Sequence, residues 1–91
     1  MILLSRDDLG RELGIGPSGV LRWLRDGLLP PPLELDGYVR WARPQIERWA
    51  SEGCLPCTPP DGKTMLRYRK SILREIKENE AREQLIRNMM E

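Results

Sequence analysis

The two cysteines are the side chains in this 91-residue sequence with the clearest capacity for chemistry. Cys54 and Cys57 form one Cys-x-x-Cys pair, which is half of a four-thiolate zinc site. The pair lies among prolines rather than at the start of a helix, and this context favours free thiols in a linker. We therefore expect no metal site and no other cofactor within one chain. Zinc shared between two chains and a redox disulfide stay open as alternatives.

The sequence contains no histidine. Every His-dependent general base, Cys–His dyad and His–metal site is thereby excluded, so we expect no catalytic residues and no enzymatic activity. No apolar run approaches the ~20 residues needed to cross a bilayer. The apolar start reaches charged residues too early for a signal peptide, and we expect a cytoplasmic protein.

Charge is distributed unevenly along a chain whose net charge is only +1. Residues 63–77 carry six cationic side chains against one glutamate, whereas residues 78–91 are mainly acidic. This asymmetry indicates a basic contact surface followed by a surface of a different kind.

Two short helices joined by a glycine turn are predicted in the first part of the chain. Ser5, with Asp8 three residues later, is typical of a capping box at a helix start. Gly14 is suited to end that helix in a left-handed conformation. Pro17 suits the first turn of a second helix, which we expect to end near Arg25. This spacing is that of a helix-turn-helix.

A hairpin and a third helix follow. Asp36-Gly37 separates two alternating apolar runs, which is a strong signal of a two-residue hairpin turn. The third helix is expected to begin at Pro44 and end at Gly53. The hairpin is expected to turn Glu34, Tyr38 and Arg40 outward and to bury four apolar side chains on one face: Leu33, Leu35, Val39 and Trp41.

The remainder of the chain predicts a linker and a long helix. Residues 54–63 contain three prolines and one glycine, whereas no proline or glycine occurs from Thr64, a suitable N-cap, to Glu91. We expect a helix of about 26 residues that bends near Asn79 or whose halves meet different partners. Its apolar stripe is a candidate for self-association or partner docking: Met65, Leu66, Ile72, Leu73 and Ile76. Its opposite face offers cations to DNA or to a protein interface: Arg67, Lys70, Arg74 and Lys77.

This order of elements resembles the AlpA-type and excisionase-type DNA-binding proteins of the MerR superfamily. The resemblance covers residues 2–53. It is carried by Leu3-Leu4-Ser5 before the first helix, by Gly14-Ile15 in the turn and by segments 20–24, 26–30, 39–41 and 46–49. It implies a mainly α fold, in which residues 1–53 form a small winged helix-turn-helix with a two-stranded hairpin wing. Residues 54–63 then form a proline-rich linker, and residues 64–91 form the long C-terminal helix.

The resemblance implies that the second helix enters the major groove, while the wing lies along the DNA backbone or minor groove. Arg22 is the best candidate for reading a base, because a guanidinium can donate two hydrogen bonds to guanine. Relatives usually carry hydrogen-bonding residues where this chain has Pro17, Gly19 and Leu21, so we expect one copy to have poor specificity. The further candidate DNA contacts are Ser18, Gly19, Arg25, Tyr38 and Arg40.

Three DNA-binding roles share such a fold: a regulator of transcription, an excisionase and the small subunit of a phage terminase. We expect a non-enzymatic protein of a phage or mobile element, acting as a small regulator or excisionase-like factor that binds repeated sites cooperatively. The expected partners are double-stranded DNA, further copies of the chain and an integrase or terminase, with no membrane. The alternatives are a terminase small subunit and a protein-interaction adaptor that keeps the helix-turn-helix as a scaffold.

Overall fold

The computed structural model describes residues 2–90. This part of the chain contains four helices and three short strands. Most of these residues are helical, and the strands form one antiparallel sheet in the order β1-β3-β2. The elements in chain order are β1 (Leu3–Leu4), α1 (Arg6–Leu13), α2 (Gly16–Arg25), β2 (Leu33–Leu35), β3 (Tyr38–Ala42), α3 (Arg43–Ser51) and α4 (Gly62–Met90).

Helices α1 and α2 form a close pair whose ends follow the local sequence signals. The predicted capping box is confirmed, since the Asp8 N–H donates to Ser5 Oγ and the Ser5 N–H donates to Asp8 Oδ2, both at 3.2 Å. Gly14 ends α1 at φ 71°, also as predicted. A Cβ on Gly10 would lie 2.7 Å from the carbonyl carbon and oxygen of Gly16. The two helices therefore approach so closely that only glycine fits at residue 10.

The hairpin turn at Asp36 and Gly37 is confirmed, with positive φ angles of 52° and 78°. The prediction that Leu33 and Leu35 are buried with Val39 is wrong, because these leucines are 42% and 44% exposed. The two-residue turn places Leu35 opposite Tyr38 and Leu33 opposite Arg40. Since directly opposed residues share a sheet face, the leucines lie on the Tyr38 face rather than on the Val39 face.

The predicted two-stranded hairpin is the larger part of a three-stranded sheet. Strand β1 pairs with β3 in the register Leu3 opposite Ala42 and Leu4 opposite Trp41. The side chain of Leu4 is thereby buried in the core.

The tryptophans supply much of the core, as predicted. Trp41 is fully buried and its indole Nε1 donates to the carbonyl of Pro30 at 2.9 Å. Trp49, on the predicted third helix, is buried and donates to the carbonyl of Leu55 at 3.1 Å. Trp23 is partly buried against the same cluster.

The segment before α4 has no helix or strand, yet it is held against the rest of the molecule. The Cys57 N–H donates to the carbonyl of Gly27 at 2.8 Å.

The prediction of Thr64 as the N-cap of the long helix is wrong, because Asp61 Oδ1 accepts the Thr64 N–H at 2.7 Å. This bond lowers the pKa of Asp61. The helix therefore begins at Gly62, inside the predicted linker.

Helix α4 is continuous through Asn79, and its halves have different surroundings. Met65, Tyr68 and Ile72 in the first half are buried in the core, and Ile76 packs against it. From residue 77 to residue 90 every side chain is exposed. None of the helices described for residues 2–90 is long and apolar enough to span a bilayer.

Candidate nucleic-acid interface

One face of α2 presents polar side chains to solvent. Ser18, Arg22 and Arg25 lie at i, i+4 and i+7, so they share one face of the helix, and all three are exposed. Arg22 makes no hydrogen bond or ion pair with any other residue of the described chain. Its five N–H donors are therefore free for an external acceptor.

Arg25 stands at the end of α2 and has one partner. Its Nε donates to Asp26 Oδ1 at 3.0 Å, and this hydrogen bond raises the pKa of Arg25. The pair is exposed, and Arg25 also lines a surface groove together with Leu66 and Arg69 of α4. The polar face of α2 thus continues towards the first turns of α4.

The candidate contact Gly19 and the neighbouring Leu21 do not belong to the exposed face of α2. Gly19 is buried rather than exposed, and a Cβ on it would lie 3.0 Å from the Cβ of Ile15. Leu21 is partly buried against the core. Pro17, Ser18, Arg22 and Arg25 remain exposed. Ser18 and Arg22 are the polar side chains of this face that have no partner within residues 2–90.

The hairpin candidates Tyr38 and Arg40 are engaged by α4. Arg40 donates from both Nη atoms to the Glu75 carboxylate at 2.8 and 2.7 Å, which raises the pKa of Arg40. The Tyr38 hydroxyl donates to Glu78 Oε2 at 2.8 Å, and this bond raises the pKa of Tyr38. The guanidinium carbons of Arg40 and Arg74 lie 5.4 and 5.5 Å from the Tyr38 ring centroid. Both candidates therefore join the hairpin to α4.

Two of the four cations predicted on the tail contact the hairpin, and the other two have no partner within residues 2–90. Arg67 donates twice to Glu34 at 2.6 and 3.0 Å, and Arg74 donates to the carbonyl of Gly37 at 2.6 Å. Lys70 and Lys77 are exposed and have no hydrogen-bond or ion-pair partner within residues 2–90. Lys63 is likewise exposed and unpaired. Lys63 is not among the four predicted cations, although its position seven residues before Lys70 places both on one helix face.

The predicted association residues are also divided. Met65 and Ile72 are buried within their own chain and Ile76 packs against the core, whereas Leu66 and Leu73 are each 52% exposed. Four further apolar side chains of α4 are between 51% and 83% exposed: Leu85, Ile86, Met89 and Met90. Within α4, the apolar side chains open to another molecule therefore lie mainly in the distal half.

Both cysteines are free thiols in the structure. Cys54 is exposed at φ 56°, and Cys57 is partly buried against the core. Within residues 2–90, no three side chains of the His, Cys, Asp and Glu types are grouped so as to hold a metal ion.

Comparisons of the chain with protein-family models, with curated proteins and with solved structures gave no match. The function is therefore inferred from the surface itself. The unpaired polar side chains described above, on α2 and α4, are guanidinium and ammonium cations and one hydroxyl, which suit phosphate oxygens and the acceptors on base edges.

Proposed function

We propose that residues 1–53 form a winged helix-turn-helix and that the protein binds double-stranded DNA. In this proposal α2 is the recognition helix, which enters the major groove, and the β2–β3 hairpin is the wing. The close α1–α2 contact at Gly10, the glycine turn and the short hairpin at Asp36-Gly37 support this architecture.

The observation that carries the proposal is that the Arg22 side chain is exposed and unpaired within residues 2–90. This side chain stands in the middle of the exposed face of α2 and has no partner among the described residues. A free guanidinium on such a helix can donate two parallel hydrogen bonds to N7 and O6 of guanine. Ser18, one turn earlier, is placed to contact a base or a phosphate, and Arg25 is placed to contact a phosphate.

The role we propose is that of a non-enzymatic factor of a phage or mobile element, acting in the cytoplasm of its host. It is a small transcriptional regulator or an excisionase-like factor that binds repeated sites. A single base-reading arginine gives about 1–3 kcal/mol of discrimination, which is too little for one copy to select a site. Cooperative binding of several copies supplies the rest, and the exposed apolar side chains of distal α4 support association between copies.

Two alternatives each have one favourable observation. The exposed distal half of α4, a helical segment suited to assembly, favours the small subunit of a phage terminase. A protein-interaction adaptor is favoured by the engagement of Tyr38 and Arg40 with α4, which removes both from the free surface of the hairpin. An adaptor would show no salt-sensitive affinity for DNA.

Fluorescence anisotropy with random-sequence duplex DNA tests the proposal, because phosphate contacts make affinity fall steeply with salt. We expect binding at about 50 mM salt and a strong loss of affinity at about 200 mM. Circular dichroism on the same sample establishes that the protein is folded. Folded protein that does not bind at 50 mM salt would contradict DNA binding and favour the adaptor.

A further inference from the structure

Helix α4 carries a regular line of cations, which we call the basic stripe. It consists of Lys63, Arg67, Lys70, Arg74 and Lys77. The successive spacings are four, three, four and three residues, which keeps all five on one face of a helix. At 1.5 Å per residue the stripe is about 21 Å long. All five residues are exposed.

The charge of the basic stripe is only partly compensated within the chain. Arg67 pairs with Glu34 at 2.6 Å, and Arg74 lies 3.7 Å from Glu78. The three lysines have no anionic partner in the described part of the chain. Like charges three and four residues apart destabilise a helix, so the stripe gains most from an external anion that runs along it.

The basic stripe borders the hairpin that we propose as the wing. The Arg74 guanidinium donates to the carbonyl of Gly37 at the tip of the hairpin, and Arg67 holds Glu34 on β2. The hairpin and the basic stripe therefore form one continuous surface. Tyr38 and Arg40 are engaged by α4, whereas Lys70 and Lys77, each three residues after a hairpin-contacting arginine, have no partner within residues 2–90.

We propose that the basic stripe binds the sugar-phosphate backbone of the duplex alongside the wing. Lys63, Lys70 and Lys77 contact phosphates, while Arg67 and Arg74 are positioning residues that hold the hairpin against α4. This inference rests on the proposed DNA binding and assigns to α4 the backbone contacts that a wing would make. The phosphates of one strand rise about 3.4 Å each along the duplex axis, so a 21 Å stripe spans about six of them. Three contacts fit within that length.

The test compares two triple variants that change the net charge equally. The stripe variant carries Lys63→Gln, Lys70→Gln and Lys77→Gln. The control variant carries Arg11→Gln, Arg48→Gln and Arg87→Gln, at three exposed arginines. Of these, Arg11 has a partner within residues 2–90, in a pair with Asp8 that is exposed on the arginine side and worth little. Glutamine is a good helix former, so both variants keep the helix content of the wild type, which circular dichroism verifies.

Affinity for random-sequence duplex DNA is measured from 50 to 200 mM salt. Loss of three phosphate contacts reduces the slope of log K against log salt by about 2.7 in the stripe variant. Between those two concentrations the wild type then loses roughly 40-fold more affinity than the stripe variant. The control variant keeps the slope of the wild type.

Failure of this inference is distinct from failure of the proposed function. A wild type that binds DNA, with an unchanged slope in the stripe variant, would overturn the stripe contacts and leave recognition by α2 intact. Equal loss of slope in both variants would also overturn them, because the effect would then follow net charge alone. A folded wild type that binds no DNA but binds polyglutamate through the stripe lysines would overturn both proposals and indicate an acidic protein partner.

Discussion

Arg40 and Glu75 lie 35 residues apart in the sequence, and their side chains form a two-point ion pair with N–O distances of 2.8 and 2.7 Å. Both side chains are largely shielded from solvent, with exposed fractions of 23% and 20%. The pair joins the central strand β3 to α4. The long helix is therefore part of the same folded unit as the hairpin, at least as far as residue 78, where Glu78 accepts the Tyr38 hydroxyl.

Removal of Arg40 should destabilise the fold. Arg40→Met leaves the Glu75 carboxylate shielded and without its partner, and we expect the free energy of unfolding to fall by about 1–3 kcal/mol. Urea denaturation measures the change. Arg11→Met is the matched control, because its pair with Asp8 is exposed on the arginine side and is worth little. Equal stability of the two variants would contradict a structural role for the Arg40 pair.

Gly10→Ala should disrupt the α1–α2 contact. The new Cβ would meet backbone atoms of Gly16 at 2.7 Å, and backbone cannot yield as a flexible side chain can. We expect a loss of about 1–3 kcal/mol of stability, despite the better helix propensity of alanine. Gly62→Ala is the control, since a Cβ there meets nothing within 4 Å. Thermal melts in which Gly10→Ala is as stable as Gly62→Ala would refute the close approach.

Most of the confirmed predictions concern contacts between residues that are close in the sequence. The Ser5 capping box, the Gly14 cap and the Asp36-Gly37 turn each depend on contacts within a few residues, and sequence patterns record such contacts directly. For the same reason, the limits of α1 and α2 lie within about one residue of their predicted positions.

Two errors are local: Asp61 rather than Thr64 caps α4, and the hairpin register places Leu33 and Leu35 on the Tyr38 face. The burial of Gly19 is likewise local in origin, because a Cβ there would lie 3.0 Å from the Cβ of Ile15, four residues earlier.

Other errors arise where tertiary contacts decide. The strand Leu3–Leu4 is too short to have a sequence pattern of its own, and its partner strand lies almost forty residues later. In the candidate site, the exposed state of Arg22 was predictable from helical spacing, whereas the engagement of Arg40 by Glu75 requires the packing of α4.

The distal half of α4 should mediate self-association without contributing to the fold. Deletion of residues 81–91 keeps Met65, Tyr68 and Ile72 in the core, so stability should remain close to that of the wild type. Deletion of residues 64–91 removes those three side chains, each worth about 1.5–3 kcal/mol of burial, and should unfold the protein. Light scattering of the shorter deletion should give a monomer where the full chain gives an oligomer.

Two double variants show whether the apolar side chains of distal α4, rather than the length of the helix, cause association. Leu85→Gln with Met89→Gln should reduce association as the deletion does. Gln84→Ala with Asn88→Ala, on the neighbouring positions, should leave the oligomeric state unchanged. Association that survives Leu85→Gln with Met89→Gln would place the contact between copies elsewhere.

Stability should fall on acidification. Burial raises the pKa of Asp8, but the hydrogen bonds from Ser5 and the charge of Arg11 outweigh it and leave the pKa lowered. The hydrogen bond from Arg43 lowers the pKa of Glu12. Since these carboxyl groups bind protons more tightly in the unfolded chain, their contribution is complete above the ordinary carboxyl range near pH 4 and is lost below it.

Urea denaturation at pH 7, 5 and 3 checks this pH dependence. Between pH 7 and 5 the free energy of unfolding should change little from these groups, and it should decrease between pH 5 and 3. Asp61→Asn keeps an acceptor for the Thr64 N–H but cannot titrate, so it should reduce the loss at acid pH. A stability that rises towards pH 3 would show that these hydrogen bonds are absent in solution.

The central claim is that α2 reads DNA through Arg22, and site selection tests it most directly. Wild type, Arg22→Ala and Arg48→Ala are each used to enrich sites from a random duplex library, and affinity for the enriched wild-type site is then measured. We predict that Arg22→Ala loses about 1–3 kcal/mol, or roughly 5- to 150-fold in Kd, and relaxes the preference at one guanine. Arg48→Ala should enrich the same site as the wild type. An Arg22→Ala variant with wild-type affinity and wild-type preference would contradict the assignment of α2 as the recognition helix.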